Sequence, residues 1–128
     1  MSAICCNATI SDGVSLDLYN LLKYVNTAYS VARSGKVAQS SVFEEANHGL
    51  SGTPDKAIDG NRASAWSQNS CSHTLQETKP WWRLDLQTEY TVSAVTITFR
   101  NDCCKERING AEIRVGNSLN DNGNGNYL

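Results

Sequence analysis

The sequence predicts an all-β domain, an antiparallel sandwich of short strands, and three observations carry that prediction. Apolar and polar residues alternate in three places: Trp82, Leu84 and Leu86 around Arg83 and Asp85; Val95, Ile97 and Phe99 around Thr96 and Thr98; Ala111, Ile113 and Val115 around Glu112 and Arg114. A period of two places one face of a strand on a core and the other in solvent. Turn signatures separate these runs, at Ser51-Gly52-Thr53-Pro54-Asp55, Asp59-Gly60 and Asn109-Gly110. Asn, Ser and Thr together supply 36 of the 128 residues, a composition suited to turns and sheet surfaces.

Along the chain, residues 1–29 differ in texture from the rest. Val14, Leu18, Leu21, Leu22 and Val25 recur at helical spacing, with Ser11 or Asp12 available as a cap, although Val14, Leu16 and Leu18 also fit a strand. This stretch is read as an N-terminal extension of unknown role with a short helix, and residues 30–128 as the domain. Lys36 to Val42 reads as a strand, Lys56 to Asn61 as a short buried run, and Asn69 to Lys79 as a polar loop carrying Cys71 and His73. The Asn/Gly-rich stretch from Asn120 to Asn126 reads as a loop. Four or five strands fall short of the roughly seven or eight of a complete sandwich, so the domain is expected to be incomplete at its C-terminus.

Composition removes several function classes. Eleven Lys and Arg against thirteen Asp and Glu leave a formal charge of −2, which argues against a nucleic-acid binder that works by neutralising phosphates. No apolar run approaches the roughly 20 residues of a membrane span. The N-terminus lacks the basic and apolar regions of a signal peptide, while Asn7-Ala8-Thr9 is a glycosylation sequon. Of five cysteines, Cys5–Cys6 and Cys103–Cys104 are adjacent pairs and Cys71 stands alone. An odd count cannot pair fully within one chain, and without a Cys-x-x-Cys ladder a structural zinc site is not expected. His48 and His73 are the only candidate imidazole bases, and neither sits in a nucleophile signature. No glycine loop cradles a phosphate and no carboxylate lies in an apolar setting that would raise its pKa. The chain is therefore not expected to be an enzyme.

The segment Arg100-Asn101-Asp102-Cys103-Cys104-Lys105-Glu106-Arg107 follows directly on the Val95–Phe99 run. A solvated charged turn is the plain reading of such a segment. The adjacent cysteines add a second. Consecutive Cα atoms lie about 3.8 Å apart, below the usual disulfide range of roughly 4.4–6.8 Å, so a bond between these two would close a tight ring. That ring would offer a flat apolar sulfur surface, with guanidinium groups beside it as fixed donors. An apolar patch ringed by donors suits a sugar, and a deoxy sugar best, because its methyl group needs an apolar pocket. His73 can donate or accept nearby; Trp66 and Phe43 are either walls of such a pocket or ordinary core packing.

The segments His73, then 26 residues, then Arg100-Asn101-Asp102, then four residues and Arg107 resemble the F-type lectins, the fucose-binding fucolectins. The resemblance covers about residues 30–128. It includes Ala57-Ile58-Asp59-Gly60-Asn61-Arg62, Ser70-Cys71-Ser72-His73, Pro80-Trp81-Trp82-Arg83-Leu84-Asp85-Leu86 and Glu106-Arg107-Ile108-Asn109-Gly110-Ala111-Glu112-Ile113. It implies a jelly-roll, discoidin-like sandwich with a sugar site in loops at one end. On this resemblance His73, Arg100 and Arg107 hydrogen-bond α-L-fucose, Cys103 and Cys104 form a vicinal disulfide that stacks on it, and Asp102 orients an arginine. Phe43, His48 and Trp66 fall at the methyl pocket and rim. Lys56, Asp59, Asn61 and Ser70 fall at a calcium site, a further carboxylate ligand and the partner of Cys71 being expected past Leu128.

The resemblance implies a secreted, non-catalytic lectin whose partners are fucosylated glycans, with a homo-oligomer or tandem array supplying avidity. The alternative on the same sandwich is a discoidin-like module reading protein or lipid surfaces, since fold does not fix function. A redox switch at Cys103–Cys104 and an ancillary domain of a glycosidase are further readings.

Overall fold

A computed structural model describes residues 4–5, 7–12 and 30–128. The helix expected over Val14–Val25 falls outside these residues. Among the described residues, regular structure consists of eight strands and short 3₁₀ turns of no more than four residues. The strands are β1 (Ile4–Cys5), β2 (Asn7–Asp12), β3 (Lys36–Gln39), β4 (Glu44–Glu45), β5 (Leu50–Ser51), β6 (Ser72–His73), β7 (Trp82–Asp85) and β8 (Val92–Thr98).

They pair antiparallel, as β1 with β6, β2 with β8, β3 with β7 and β4 with β5. The longest ladder runs from Asn7↔Thr98 to Asp12↔Val92, with a register shift between Ser11 and Asp12. Residues 7–12, assigned from sequence to an extension, are thus paired to the Val95–Ile97 strand. The β3–β7 ladder joins Lys36↔Asp85 to Gln39↔Trp82, and Gly35 before it packs where a Cβ would lie 2.4 Å from Leu84 Cδ1.

The alternating run at Ala111–Val115 does not become a strand. It holds a single bridge, Val115↔Tyr127, and Ile113 and Val115 are 47% and 46% exposed. Alternation marks a residue's face, but a strand also needs a neighbour to complete its ladder, and among the described residues only Tyr127 supplies one.

The buried apolar residues are small for the most part: Ala8, Val31, Ala32, Ala57, Ile58, Trp66 and Cys71. Trp66 and Cys71 form a cluster on which Phe43 and Leu50 pack. A continuous buried polar stretch passes beside it, Ser70, Ser72, His73 and Thr74. Burying such groups is tolerable only when they are hydrogen-bonded, and no buried side-chain nitrogen or oxygen among the described residues lacks a partner. Cys71 is disulfide-bonded within the chain. This corrects the expectation of a partner past Leu128.

Candidate binding site

The site begins with the backbone that fixes His73. Phe43 N donates to His73 O (2.8 Å), His73 N to Gly52 O (2.9 Å) and Gly52 N to Phe43 O (2.9 Å). Gln39 extends from β3 and donates its amide hydrogens toward Ser41 O, Gly52 O and His73 O at 2.6, 2.9 and 3.2 Å. Gly52 lies so close that a Cβ there would sit 2.6 Å from His73 Cβ and 2.7 Å from its N.

The His73 ring is enclosed by aromatic neighbours. Phe43 lies with its centroid at 4.6 Å and Trp66 at 5.4 Å edge-on, while Phe43 and Trp66 are 5.8 Å apart. His73 Nδ1 is 2.5 Å from Thr74 O. A carbonyl only accepts, so Nδ1 carries the hydrogen and the neutral ring leaves Nε2 as an acceptor. Arg107 Nη1 lies 3.4 Å from that Nε2 and donates to it. Burial holds the imidazole below its ordinary value, the Thr74 hydrogen bond opposes this, and the Arg107 and Arg100 charges add to the depression.

Arg100 and Arg107 flank the vicinal pair. Arg100 donates Nε to Asp102 Oδ1 (2.5 Å) and Nη2 to Oδ2 (3.1 Å), a fork-on-fork arrangement. This bond is the main reason that the Asp102 carboxyl is held below its ordinary range. Asp102 Oδ2 also accepts the backbone N–H of Trp66 at 3.1 Å, which ties the arginine loop to the turn Trp66–Gln68. The Arg100 guanidinium stands 5.7 Å from the Trp66 ring centre.

Cys103 and Cys104 are bonded to each other, with Cα atoms 3.8 Å apart. Cys104 takes the left-handed backbone conformation, φ 58°, and opens the 3₁₀ turn Lys105–Ile108, where Arg107 N donates to Cys104 O at 3.1 Å. The disulfide and Arg107 are therefore set by one turn. A shallow depression here is lined by Phe99, Arg100, Cys104, Lys105, Arg107 and Ile108.

The structure thus brings together His73, Arg100, Asp102, Arg107, Phe43 and Trp66, with Cys103–Cys104 between the arginines in sequence. His48 stands apart, its side chain 69% exposed, and its contact toward the others is through Glu45. Glu45 is the residue that sequence reasoning missed: its Oε2 accepts Trp66 Nε1–H at 2.6 Å and its Oε1 accepts His48 Nδ1–H at 3.0 Å. Its position three residues before His48 gives no hint of Trp66, the partner that defines its role.

Lys56, Asp59, Asn61 and Ser70 lie in and after the turn Pro54–Ala57, which Trp82 Nε1 anchors by donating to Pro54 O at 3.0 Å. Asp59 Oδ1 accepts Asn61 N at 2.7 Å, and Asn61 Oδ1 accepts Ala63 N at 3.1 Å. Asn61 Nδ2 donates to Gln68 O at 3.3 Å, and Ser70 Oγ to Ala63 O at 2.6 Å. The loop so closed carries carboxylate, amide, hydroxyl and carbonyl oxygens of the kind calcium takes, with the Arg33 guanidinium donating to Asp59 O at 3.0 Å beside them. Lys56 could contribute only its carbonyl, since an ammonium has no lone pair. No group of three or more His, Cys, Asp or Glu assembles as a metal cluster among the described residues.

A mostly-β domain that gathers rings, arginines and a vicinal disulfide at one place has the make-up of a ligand-binding domain. Residues 56–126 match the family model described as NedA-like, galactose-binding domain, and the chain belongs to that family. Within it the chain is an F-type lectin domain. It is 54% identical over 94 residues to Fucolectin-1 of Anguilla japonica, covering 73% of this chain and 52% of that protein. It is 46% identical over 97 residues to Fucolectin of Anguilla anguilla, covering 76% and 61%. The crystal structure of an F-lectin (fucolectin) from Morone saxatilis serum superimposes with a TM-score of 0.70 at 49% identity, covering 76% of this chain and 32% of that one. The all-β jelly-roll expectation holds. The chain spans 52% of the length of the first of these relatives and 61% of the second.

Proposed function

We propose that the chain binds α-L-fucose on glycans, without a catalytic step. The observation that supports this most is the convergence of His73, Arg100 and Arg107 beside the bonded Cys103–Cys104 pair. Arg100, held by Asp102, and Arg107, held against His73, present fixed N–H donors to sugar oxygens. The disulfide offers an apolar face to the C–H side of the ring, and Trp66 and Phe43 form the wall for the methyl group. Fixing donors before the ligand arrives lowers the ordering cost of binding. Titration of L-fucose by calorimetry tests the reading. Arg100→Ala and Arg107→Ala are each expected to abolish measurable binding, and equal binding by wild type and both variants on a glycan array would overturn the site. A discoidin-like surface reader would bind no free fucose.

The function places the chain outside the cell, where glycans are displayed, and multiple sites in an oligomer or tandem array would raise avidity. A calcium ion would bind through the Asp59 carboxylate, the Asn61 and Ser70 oxygens and the Lys56 carbonyl, stiffening the loop below the site. With one carboxylate, its dissociation constant is expected near 10⁻⁴–10⁻³ M, roughly that of weak extracellular modules. Calcium at millimolar concentration should raise the melting temperature, and Asp59→Asn should remove the rise. An unchanged melting curve in calcium and in chelator would overturn the metal assignment.

A further inference from the structure

We infer that Glu45 is a positioning residue for Trp66 and thereby sets the preference for a methyl group over a hydroxymethyl group at the sugar's C6, an inference that rests on the fucose reading above. Trp66 is held at two points. Its backbone N–H reaches Asp102 (3.1 Å) and its indole N–H reaches Glu45 Oε2 (2.6 Å). The first fixes where the residue begins; the second is a hydrogen bond made by the ring itself, and with the packing of Phe43 and Cys71 it fixes the rotation of the ring about its side-chain bonds. That rotation decides which surface faces His73, at 5.4 Å edge-on, and Phe43, at 5.8 Å.

Glu45 can hold the ring because it is itself held. It lies on β4, paired to Leu50 on β5, and its second oxygen accepts His48 Nδ1–H at 3.0 Å. The Trp66 hydrogen bond is also the largest cause of the depressed Glu45 pKa, so the carboxylate stays ionised and remains an acceptor. A charged acceptor gives a shorter and stronger bond than a neutral one. Without it the indole N–H would turn toward water or toward the sugar, placing a donor where an apolar wall is required. A donor there favours a C6 hydroxyl and disfavours a C6 methyl.

The test compares dissociation constants for L-fucose and for L-galactose, the same sugar carrying a C6 hydroxyl. Wild type is expected to prefer L-fucose. Glu45→Ala is expected to reduce that preference by roughly three- to ten-fold, the worth of one hydrogen bond. Glu45→Gln keeps an acceptor oxygen and should retain most of the preference. Trp66→Phe removes the N–H, so adding Glu45→Ala in that background should change the ratio no further. A general loss of folding would weaken both sugars alike and leave their ratio intact. If wild type prefers fucose and Glu45→Ala keeps the wild-type ratio, this inference is overturned alone. If wild type binds neither sugar, the fucose reading falls and this inference falls with it.

Discussion

His73 is bonded at both ring nitrogens, so its protonation state and the shape of the site are one question. The neutral ring donates from Nδ1 to Thr74 and accepts at Nε2 from Arg107. A second proton would have to go on Nε2, facing a guanidinium. Burial and the Arg107 and Arg100 charges disfavour it and hold the pKa down. A folded-state pKa below the unfolded one means that the unfolded chain takes up protons first as pH falls. The stability that neutral His73 confers is therefore complete above the ordinary imidazole value of about 6.5 and is lost as pH falls through the depressed folded value. Fucose affinity should fall in the same window, because protonation breaks the Arg107 contact. The carboxylates of Glu45 and Asp102, held below their ordinary ranges, keep their charge across it. Melting temperature and fucose dissociation constant followed from pH 8 to 5, with the His73 imidazole titrated by NMR, check this. A His73 midpoint at or above the ordinary value would refute it.

Among the elements, the junction of Phe43, Gly52 and His73 has the least slack. Three backbone hydrogen bonds close it into a ring, and a methyl group on Gly52 would overlap His73 N, O and Cβ, all within 2.9 Å. Backbone atoms cannot swing away as a side-chain tip can. Gly52→Ala should lower stability by about 1–3 kcal/mol, the range for overpacking, and weaken fucose binding more than the stability loss alone explains. Chemical denaturation and sugar titration of the same variant check both parts. Nothing local in Ser51-Gly52-Thr53 announces this role; the turn was legible, but the neighbour that makes the glycine necessary lies 21 residues away. The same limit explains the other differences. Alternation at Val95–Ile97 announced a strand, yet its partner Asn7–Asp12 lies far off in sequence and was read as foreign to the domain. Alternation at Ala111–Val115 was as clear and produced one bridge. His73, Arg100, Asp102 and Arg107 were legible as a set through the resemblance to the F-type lectins, whose pattern is one of spacing. Glu45 was not, because one acid of a Glu-Glu pair reveals its function only once Trp66 is folded against it.

For the molecule as a whole, the core and the wall of the site are largely the same residues. Trp66 belongs to the buried cluster with Cys71, Phe43 packs on it, and both rings face His73. Ligand binding should therefore raise the melting temperature through ordinary mass action, and most changes to the wall should lower both stability and affinity. The vicinal disulfide is the place where the two separate. A disulfide stabilises chiefly by restricting the unfolded chain, in proportion to the loop that it closes, and Cys103–Cys104 spans a sequence separation of 1. Its contribution to global stability on that account is negligible, although it shapes the turn that carries Arg107. Cys71, by contrast, is disulfide-bonded, 1% exposed and part of the core cluster, whereas Cys103 and Cys104 are half-buried at the surface. A mild reductant should therefore reach Cys103–Cys104 first. The expected result is a ligand-free melting temperature that hardly moves while the rise produced by fucose is lost. Cys103→Ser with Cys104→Ser should reproduce that pattern without reductant. A large fall in the ligand-free melting temperature of the double variant would show that the pair supports the fold and not only the sugar site.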